Sequence, residues 1–301
     1  MSDVTLCECF ARDGLQHEPA FVPTDAKRAL VERFAALGFP RVEATSYSNP
    51  KVVPQFADAS ALLAALPRRA GTLYKATCAN PKAVERALAD LEAGCGVNEI
   101  SLLVSATEAH TQKNLNRTRA EQWANVEEMV QLARGRFRLV GTVSVAFGCP
   151  FAGKVDPGIV AEDVARFVAL GVAHIALGDT TGLATPKSVA AMVARMPRAA
   201  TLIAHFHDTR GTGLVNCVAA YDAGIRFFDS SFGGVGGHPA KVQYGGGHTG
   251  NVCTEDLVSL FESMGIDTGI DLGGLLDAAR YCEQVLGREL HGRVTRSGLA
   301  R

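Results

Sequence analysis

No excess of charge of either sign marks this chain of 301 residues: 30 lysines and arginines stand against 31 aspartates and glutamates, a formal net charge of -1. Without a positive field nothing gathers a nucleic-acid backbone or an anionic membrane, so neither is expected as a partner and the ligand is expected to be small. Missing too is any apolar run near the roughly 20 residues that cross a bilayer, and the first residues lack the basic-then-apolar pattern of a secretory leader. A cytoplasmic protein is the expectation. The sequence has no Pro/Ser-rich linker and no low-complexity segment, which argues for one domain over 1–301. Its eight cysteines (Cys7, Cys9, Cys78, Cys95, Cys149, Cys217, Cys253, Cys282) are scattered through apolar stretches instead of framing a disulfide scaffold, and they are expected as buried free thiols. Cys7 and Cys9 share one face of an expected strand but lack the second pair that a zinc site would need.

What the chain does have is apolar content, 47% hydrophobic residues, arranged as an end-to-end alternation of β-branched runs with amphipathic ones. Such alternation marks successive βα units on a parallel sheet. Strands are expected at 4–10, 41–47, 71–78, 98–105, 137–147, 174–178, 201–208 and 227–231. A helix opens at Thr24 with Ala26, Leu30, Phe34 and Leu37 on one stripe and Gly38 ending it; others follow at 62–66, 81–93, 120–133, 160–170, 186–196, 214–224 and 255–265. Stretches 11–23 and 106–116 are expected as loops, the second a functional one. Eight units fit a (β/α)8 barrel, whose usual length is about 250 residues, with a surplus helix at 272–286 and a basic tail. The alternative, a doubly wound open sheet, would have about six strands.

In such a barrel the active site lies at the C-terminal ends of the strands, and the unusual polar residues collect there. Strand seven ends in His205-Phe206-His207, and because strand side chains alternate, the two imidazoles point the same way. Strand one leads into Arg12-Asp13-Gly14, and beyond strand eight Gly250-Asn251 follows two glycine clusters. Asn251, just before a helix, can cap it or offer its carbonyl oxygen to a cation. Two nitrogens and two oxygens from Asp13, His205, His207 and Asn251 would suit Mg2+ or Mn2+ in an open site better than a closed zinc site, with Zn2+ less favoured. Glu43 lies inside strand two, where a carboxylate is costly unless paired, so Arg12 or a ligating histidine is its expected partner. Asp179 directly follows strand six.

These residues resemble those of the 3-hydroxy-3-methylglutaryl-CoA lyases, within the wider metal-dependent lyase and synthase barrels. The resemblance runs through Arg12-Asp13-Gly14-Leu15-Gln16, 49–55, Gly148-Cys149-Pro150-Phe151, 177–180, 205–209, Asp229-Ser230-Ser231, Gly250-Asn251 and 254–257. It implies a TIM barrel and a divalent metal on Asp13, His205, His207 and Asn251. Arg12 would hydrogen-bond the thioester oxygen, Gln16 would join it in binding substrate, Glu43 would orient the metal site and Asp179 would lie close to substrate. The implied reaction cleaves a 3-hydroxy-3-alkyl acyl-CoA to acetyl-CoA and a keto acid, and the resemblance suggests a homodimer.

The chain departs from that pattern on the substrate side. His238 stands where the lyases carry a cysteine, the loop 241–248 looks longer, Pro19 replaces a lysine and Ala176 a serine. His238 is therefore expected to act as the proton donor, with the segment 244–248 a candidate lid. Hydroxymethylglutaryl-CoA or a relative such as citramalyl-CoA is the expected substrate. An aldolase or condensing synthase acting on a keto acid, and a non-catalytic acyl-CoA-binding barrel, are the alternatives.

Overall fold

The computed structural model describes residues 2–237 and 250–299. Eight strands, β1 (Thr5–Glu8), β2 (Arg41–Ser46), β3 (Leu73–Cys78), β4 (Glu99–Ser105), β5 (Arg138–Ser144), β6 (His174–Asp179), β7 (Thr201–Phe206) and β8 (Phe227–Ser230), pair in chain order, and β8 closes on β1. All eight pairings are parallel, so every strand ends on the same rim. This is the TIM barrel expected from the alternation. Around it run α1 (Thr24–Ala36), α2 (Ala59–Ala65), α3 (Pro81–Glu92), α4 (Glu108–Leu115), α5 (Arg119–Ala133), α6 (Pro157–Ala169), α7 (Pro186–Val193), α8 (Gly213–Asp222) and α9 (Thr254–Ser263). The surplus forms α10 (Leu272–Leu286) and a short α11 (Val294–Ser297). Among the described residues no helix is long and apolar enough to cross a membrane.

Two expected loops prove structured. Phe10–Gly14 is a single π-helical turn, and the supposed loop at 106–116 contains α4. α4 escapes a periodicity search because it has hardly any apolar stripe. It is fixed by capping instead, the Thr107 hydroxyl accepting from the His110 N–H, and by burial of His110 and Thr111. Strands one and seven are shorter than expected, so Arg12, Asp13 and His207 stand just beyond strand ends.

The main apolar core lies between sheet and helices, where Phe10, Phe34, Phe39 and Phe232 meet edge-on or stacked. The inside of the barrel is different. A TIM barrel usually fills its interior with layers of branched aliphatics. Here a small cluster of Val140, Ala176 and Ile203 occupies one part, while Arg41, Glu43, Lys75, Glu99 and Asp229 fill another, all 0–2% exposed. Their contacts skip intervening strands, Arg41 of β2 reaching Glu99 of β4 at 2.6 Å and Asp229 of β8 at 3.3 Å, and such chords run only across the barrel's inside.

Candidate metal centre

The site begins where β1 stops. Beyond Glu8 the chain tightens at once into the π turn, with the N–H groups of Arg12, Asp13 and Gly14 all bonding the Cys9 carbonyl. Buried Glu8 pins that turn from below by accepting from the Phe10 N–H at 2.8 Å. π turns recur at functional sites, and this one delivers Arg12 and Asp13 to the barrel mouth. From the other side β7 ends at Phe206, and His207 forms an isolated antiparallel bridge with Asn251. The Asp208 N–H to Gly250 carbonyl bond (2.8 Å) and the Val252 N–H to Phe206 carbonyl bond (3.0 Å) lock that bridge. Alternation around Phe206 puts the two imidazoles side by side, ring centroids 5.4 Å apart.

Asp13, His205 and His207 thus present ligand atoms that all lie within 4.8 Å of one another. Asn251 joins them. Its Nδ2 donates to Asp13 Oδ2 at 2.6 Å and to the Val235 carbonyl at 3.0 Å. Its Oδ1 is buried with no hydrogen-bond partner among the described residues. A buried carbonyl oxygen left unpaired is costly, and a cation shared with Asp13 and the histidines satisfies it. This donor set, two imidazoles, a carboxylate and an amide oxygen, fits a divalent ion. Asn251 does not cap a helix, since the residue at the cap of α9 is Cys253.

The glycines before Asn251 have a steric task. Gly236 sits at φ +120°, and a Cβ there would lie 2.3 Å from Asn251 Nδ2 and 3.0 Å from Asp13 Oδ2. A Cβ on Gly250 would lie 2.2 Å from the Gly234 carbonyl oxygen. Only bare backbone lets the two segments close on the ligands.

Around the donors stand charged partners. Arg12 Nη1 donates to Asp13 Oδ1 at 2.7 Å and Arg12 Nε pairs with Glu43 Oε1 at 2.9 Å, so Glu43 meets Arg12 as expected. Nη2 of Arg12 is left with no protein partner among the described residues. Burial works against the Glu43 carboxylate, but Arg12 and Lys75 outweigh it and hold Glu43 below its ordinary range. The histidine partner is Asp229, which the sequence offers only as part of the Asp229-Ser230-Ser231 block and with no role: its Oδ2 lies 3.2 Å from His205 Nδ1, leaving Nε2 to serve a cation. Burial opposes the Asp229 anion as well, yet Lys75, His205 and Arg41 together hold it far below the usual carboxylate range. The signal that could have found Asp229 and Lys75 is a charge in mid-strand with both faces of the strand apolar.

Asp179 has a more local employment. Its two oxygens accept from the Leu183 N–H (2.8 Å) and the Ala184 N–H (3.1 Å), folding the loop after β6 over the strand end. Burial pushes its carboxyl up to about 6 despite those bonds. Gln16 lies half-buried in the turn Leu15–His17, directly after the π turn. Ala176 packs with Val140 and Ile203 inside the barrel, and Pro19 is exposed. His238 and the segment 244–248 lie outside the described residues. All eight cysteines are free, seven of them buried and Cys95 partly so.

A closed parallel barrel with a histidine pair, a carboxylate and an amide oxygen converging at its mouth defines the class of barrel enzymes built around a divalent cation. Residues 3–282 match the model of the HMGL-like family, and the chain belongs to that family of carbon–carbon lyases. It is 38% identical over 298 residues to the mitochondrial hydroxymethylglutaryl-CoA lyase of Rattus norvegicus, covering 98% of this chain and 89% of that one. It is 35% identical over 313 residues to the (R)-citramalyl-CoA lyase of Chloroflexus aurantiacus, covering 99% and 96%. Among solved structures, the HMG-CoA lyase from Acenitobacter baumannii in complex with coenzyme A and 3-methylmalate matches with a TM-score of 0.92 and 37% identity, covering 98% of this chain and 95% of that one.

Proposed function

We propose that the chain cleaves a 3-hydroxy-3-alkyl acyl-CoA, hydroxymethylglutaryl-CoA or a relative such as citramalyl-CoA, into acetyl-CoA and a keto acid. The observation that carries this reading is the convergence of Asp13, His205, His207 and the unsatisfied Asn251 Oδ1 at the barrel mouth beside Arg12. Mg2+ or Mn2+ suits that oxygen- and imidazole-bearing set better than Zn2+. Bound there, such an ion would bring the proton of a tertiary alcohol within reach of neutral pH and hold substrate oxygens in place.

The chain's own residues then divide the work. Glu43 and Asp13 fix the guanidinium of Arg12 through Nε and Nη1, which leaves Nη2 for the thioester oxygen as it gains charge on the way to the acetyl-CoA enolate. One such pre-oriented donor is worth roughly 3 kcal/mol of barrier. Gln16 completes the substrate contacts, and Asp179 shapes the adjoining loop. His238 is proposed to give the proton to the enolate carbon, the role of the cysteine it replaces. A basic cavity of about 1160 Å³ on the same rim supports a coenzyme A substrate: Lys51, Lys82, Arg86 and Arg117 line it against one carboxylate, Glu121. That lining suits phosphate groups. Eight free thiols suit a reducing compartment and support a cytoplasmic address. A homodimer remains part of the proposal on the resemblance alone.

The test is direct. Incubating Mn2+-loaded protein with a panel of 3-hydroxyacyl-CoA thioesters is expected to release acetyl-CoA and a single keto acid, identified by mass. Condensation of a keto acid with acetyl-CoA, releasing free CoA by hydrolysis of the thioester, with no cleavage of any hydroxyacyl-CoA in the panel, would replace this reading with a synthase. Tight binding without any product would leave a binding barrel. His238→Ala is expected to keep its metal and lose turnover about 100-fold or more; unchanged turnover removes His238 from the mechanism.

A further inference from the structure

Below the candidate metal centre the barrel interior holds a second set of donors, and the ion beside them is a lysine. Cys7, Cys9 and Asp229 present atoms within 4.8 Å of one another, all three residues buried. Two cationic side chains already face that carboxylate. Arg41 Nη1 lies 3.3 Å from Asp229 Oδ1 and Lys75 Nζ lies 3.8 Å from Asp229 Oδ2. A metal there would meet two fixed positive charges, so the cluster is a seat for the ammonium and not a metal site.

We propose that Lys75 is a positioning residue that holds both halves of the active site at once; this rests on the metal-centre reading above. Its Nζ lies 3.6 Å from Glu43 Oε1 as well as 3.8 Å from Asp229 Oδ2. These two carboxylates orient different groups. Glu43 holds Arg12 at 2.9 Å, and Asp229 holds His205 Nδ1 at 3.2 Å. Glu43 also accepts from the Thr77 hydroxyl at 2.6 Å, and Asp229 also pairs with Arg41. Among the described residues Lys75 is the one cation that pairs with both carboxylates.

The geometry explains why one shared cation is needed. Glu43 and Asp229 are 0% and 2% exposed and both reach the same Lys75 Nζ, and two buried anions that close to one point repel unless a charge of opposite sign stands between them. Lys75 is itself 2% exposed, so it touches no substrate and acts only through its neighbours. It is also rigidly placed: its Cα is in register with Glu43 on β2 and with Glu99 on β4. Removing it frees the two carboxylates to move apart, taking Arg12 with one and the His205 ring with the other.

The experiment measures Mn2+ affinity by electron paramagnetic resonance of the free ion, with kcat and KM alongside, on the wild-type chain and on Lys75→Met, Asp229→Asn and the double variant. Partners behind metal ligands typically contribute 10- to 100-fold in affinity. Lys75→Met is expected to weaken Mn2+ binding by about that factor and to lower kcat further at saturating metal, because Arg12 is loosened too. A merely structural lysine would lower thermal stability of the metal-free protein without moving Mn2+ affinity, and that result overturns the proposal. Where Lys75→Met alone does not fold, the double variant, from which one anion and one cation are both gone, carries the test. It is expected to match Asp229→Asn within about twofold in Mn2+ affinity, and a further tenfold loss shows that Lys75 does not act through Asp229. A wild-type chain that takes up no Mn2+ overturns the metal-centre reading itself and this proposal with it, whereas wild-type binding with unchanged Lys75→Met overturns this proposal alone.

Discussion

Asn251 shows how one side chain can serve two partners of opposite demand. Its amide nitrogen spends both donors on protein, one on Asp13 and one on the Val235 carbonyl, and that fixes which way the oxygen faces. The oxygen is then presented to a cation already oriented, with no entropy left to lose on binding. Asn251→Ala is expected to weaken Mg2+ or Mn2+ binding at least tenfold by calorimetry, and also to loosen Asp13, because both functions sit on one amide. Asn251→Asp would set a second carboxylate against Asp13 and forfeit both donor bonds. Gly236→Ala tests the backbone side of the same contact. Its added carbon would fall on Asn251 Nδ2 in a region of φ that L-residues avoid, so turnover is expected to fall by about 100-fold and the melting temperature to drop with it. The four ligand positions were legible in the sequence because three of them lie at strand ends, where alternation and the barrel's polarity say which way a side chain faces. Asp229 and Lys75 were not. Their strands are buried on both faces, so periodicity does not separate inside from outside, and their partners lie far away in the chain, 154 residues for Lys75 and Asp229 and 188 for Arg41 and Asp229.

At the scale of elements, one ion pair gathers the segments around the extra helix α4. Arg119, the first residue of α5, donates through Nε to the Ser105 carbonyl at 2.9 Å and through Nη2 to both oxygens of Asp163 on α6 at 2.6 and 2.7 Å. Trp123 adds its indole N–H to the same carboxylate at 3.2 Å, and the Arg119 N–H donates to Glu108 at the start of α4. One acidic side chain thus gathers the end of β4, α5 and α6. Asp163→Ala leaves a mostly buried guanidinium and an indole N–H without their acceptor, and is expected to cost about 3 kcal/mol in urea unfolding. Metal affinity is expected to stay within twofold, since none of these groups touches the ligand cluster. Helix order and strand count were readable from apolar stripes. α4 and the π turn were not, because caps and hydrogen bonds to Cys9 hold them, and those leave no hydrophobic period to detect.

For the molecule as a whole, the seam where β1 meets β8 is where chain closure and active site share a support. Glu8 stands in that seam fully buried. Its Oε1 accepts from the Phe10 and Phe232 N–H groups at 2.8 and 3.2 Å, and Oε2 pairs with the Thr254 hydroxyl at 2.6 Å, so it joins the π turn, the loop after β8 and the start of α9. Burial dominates those favourable bonds and pushes the Glu8 carboxyl up from 4.5 to about 8. Between those two values the folded protein keeps a proton that the unfolded chain releases. The native state therefore binds more protons across this window, and unfolding free energy falls as pH rises from about 4.5 to about 8. Glu8→Gln keeps an uncharged side chain of the same shape. It is expected to flatten that decline, so that urea midpoints measured at pH 5, 6.5 and 8 converge in the variant while they drop steadily in the wild-type chain. A wild-type midpoint that rises over the same interval would mean that the seam holds Glu8 ionised, with its three donors outweighing its burial.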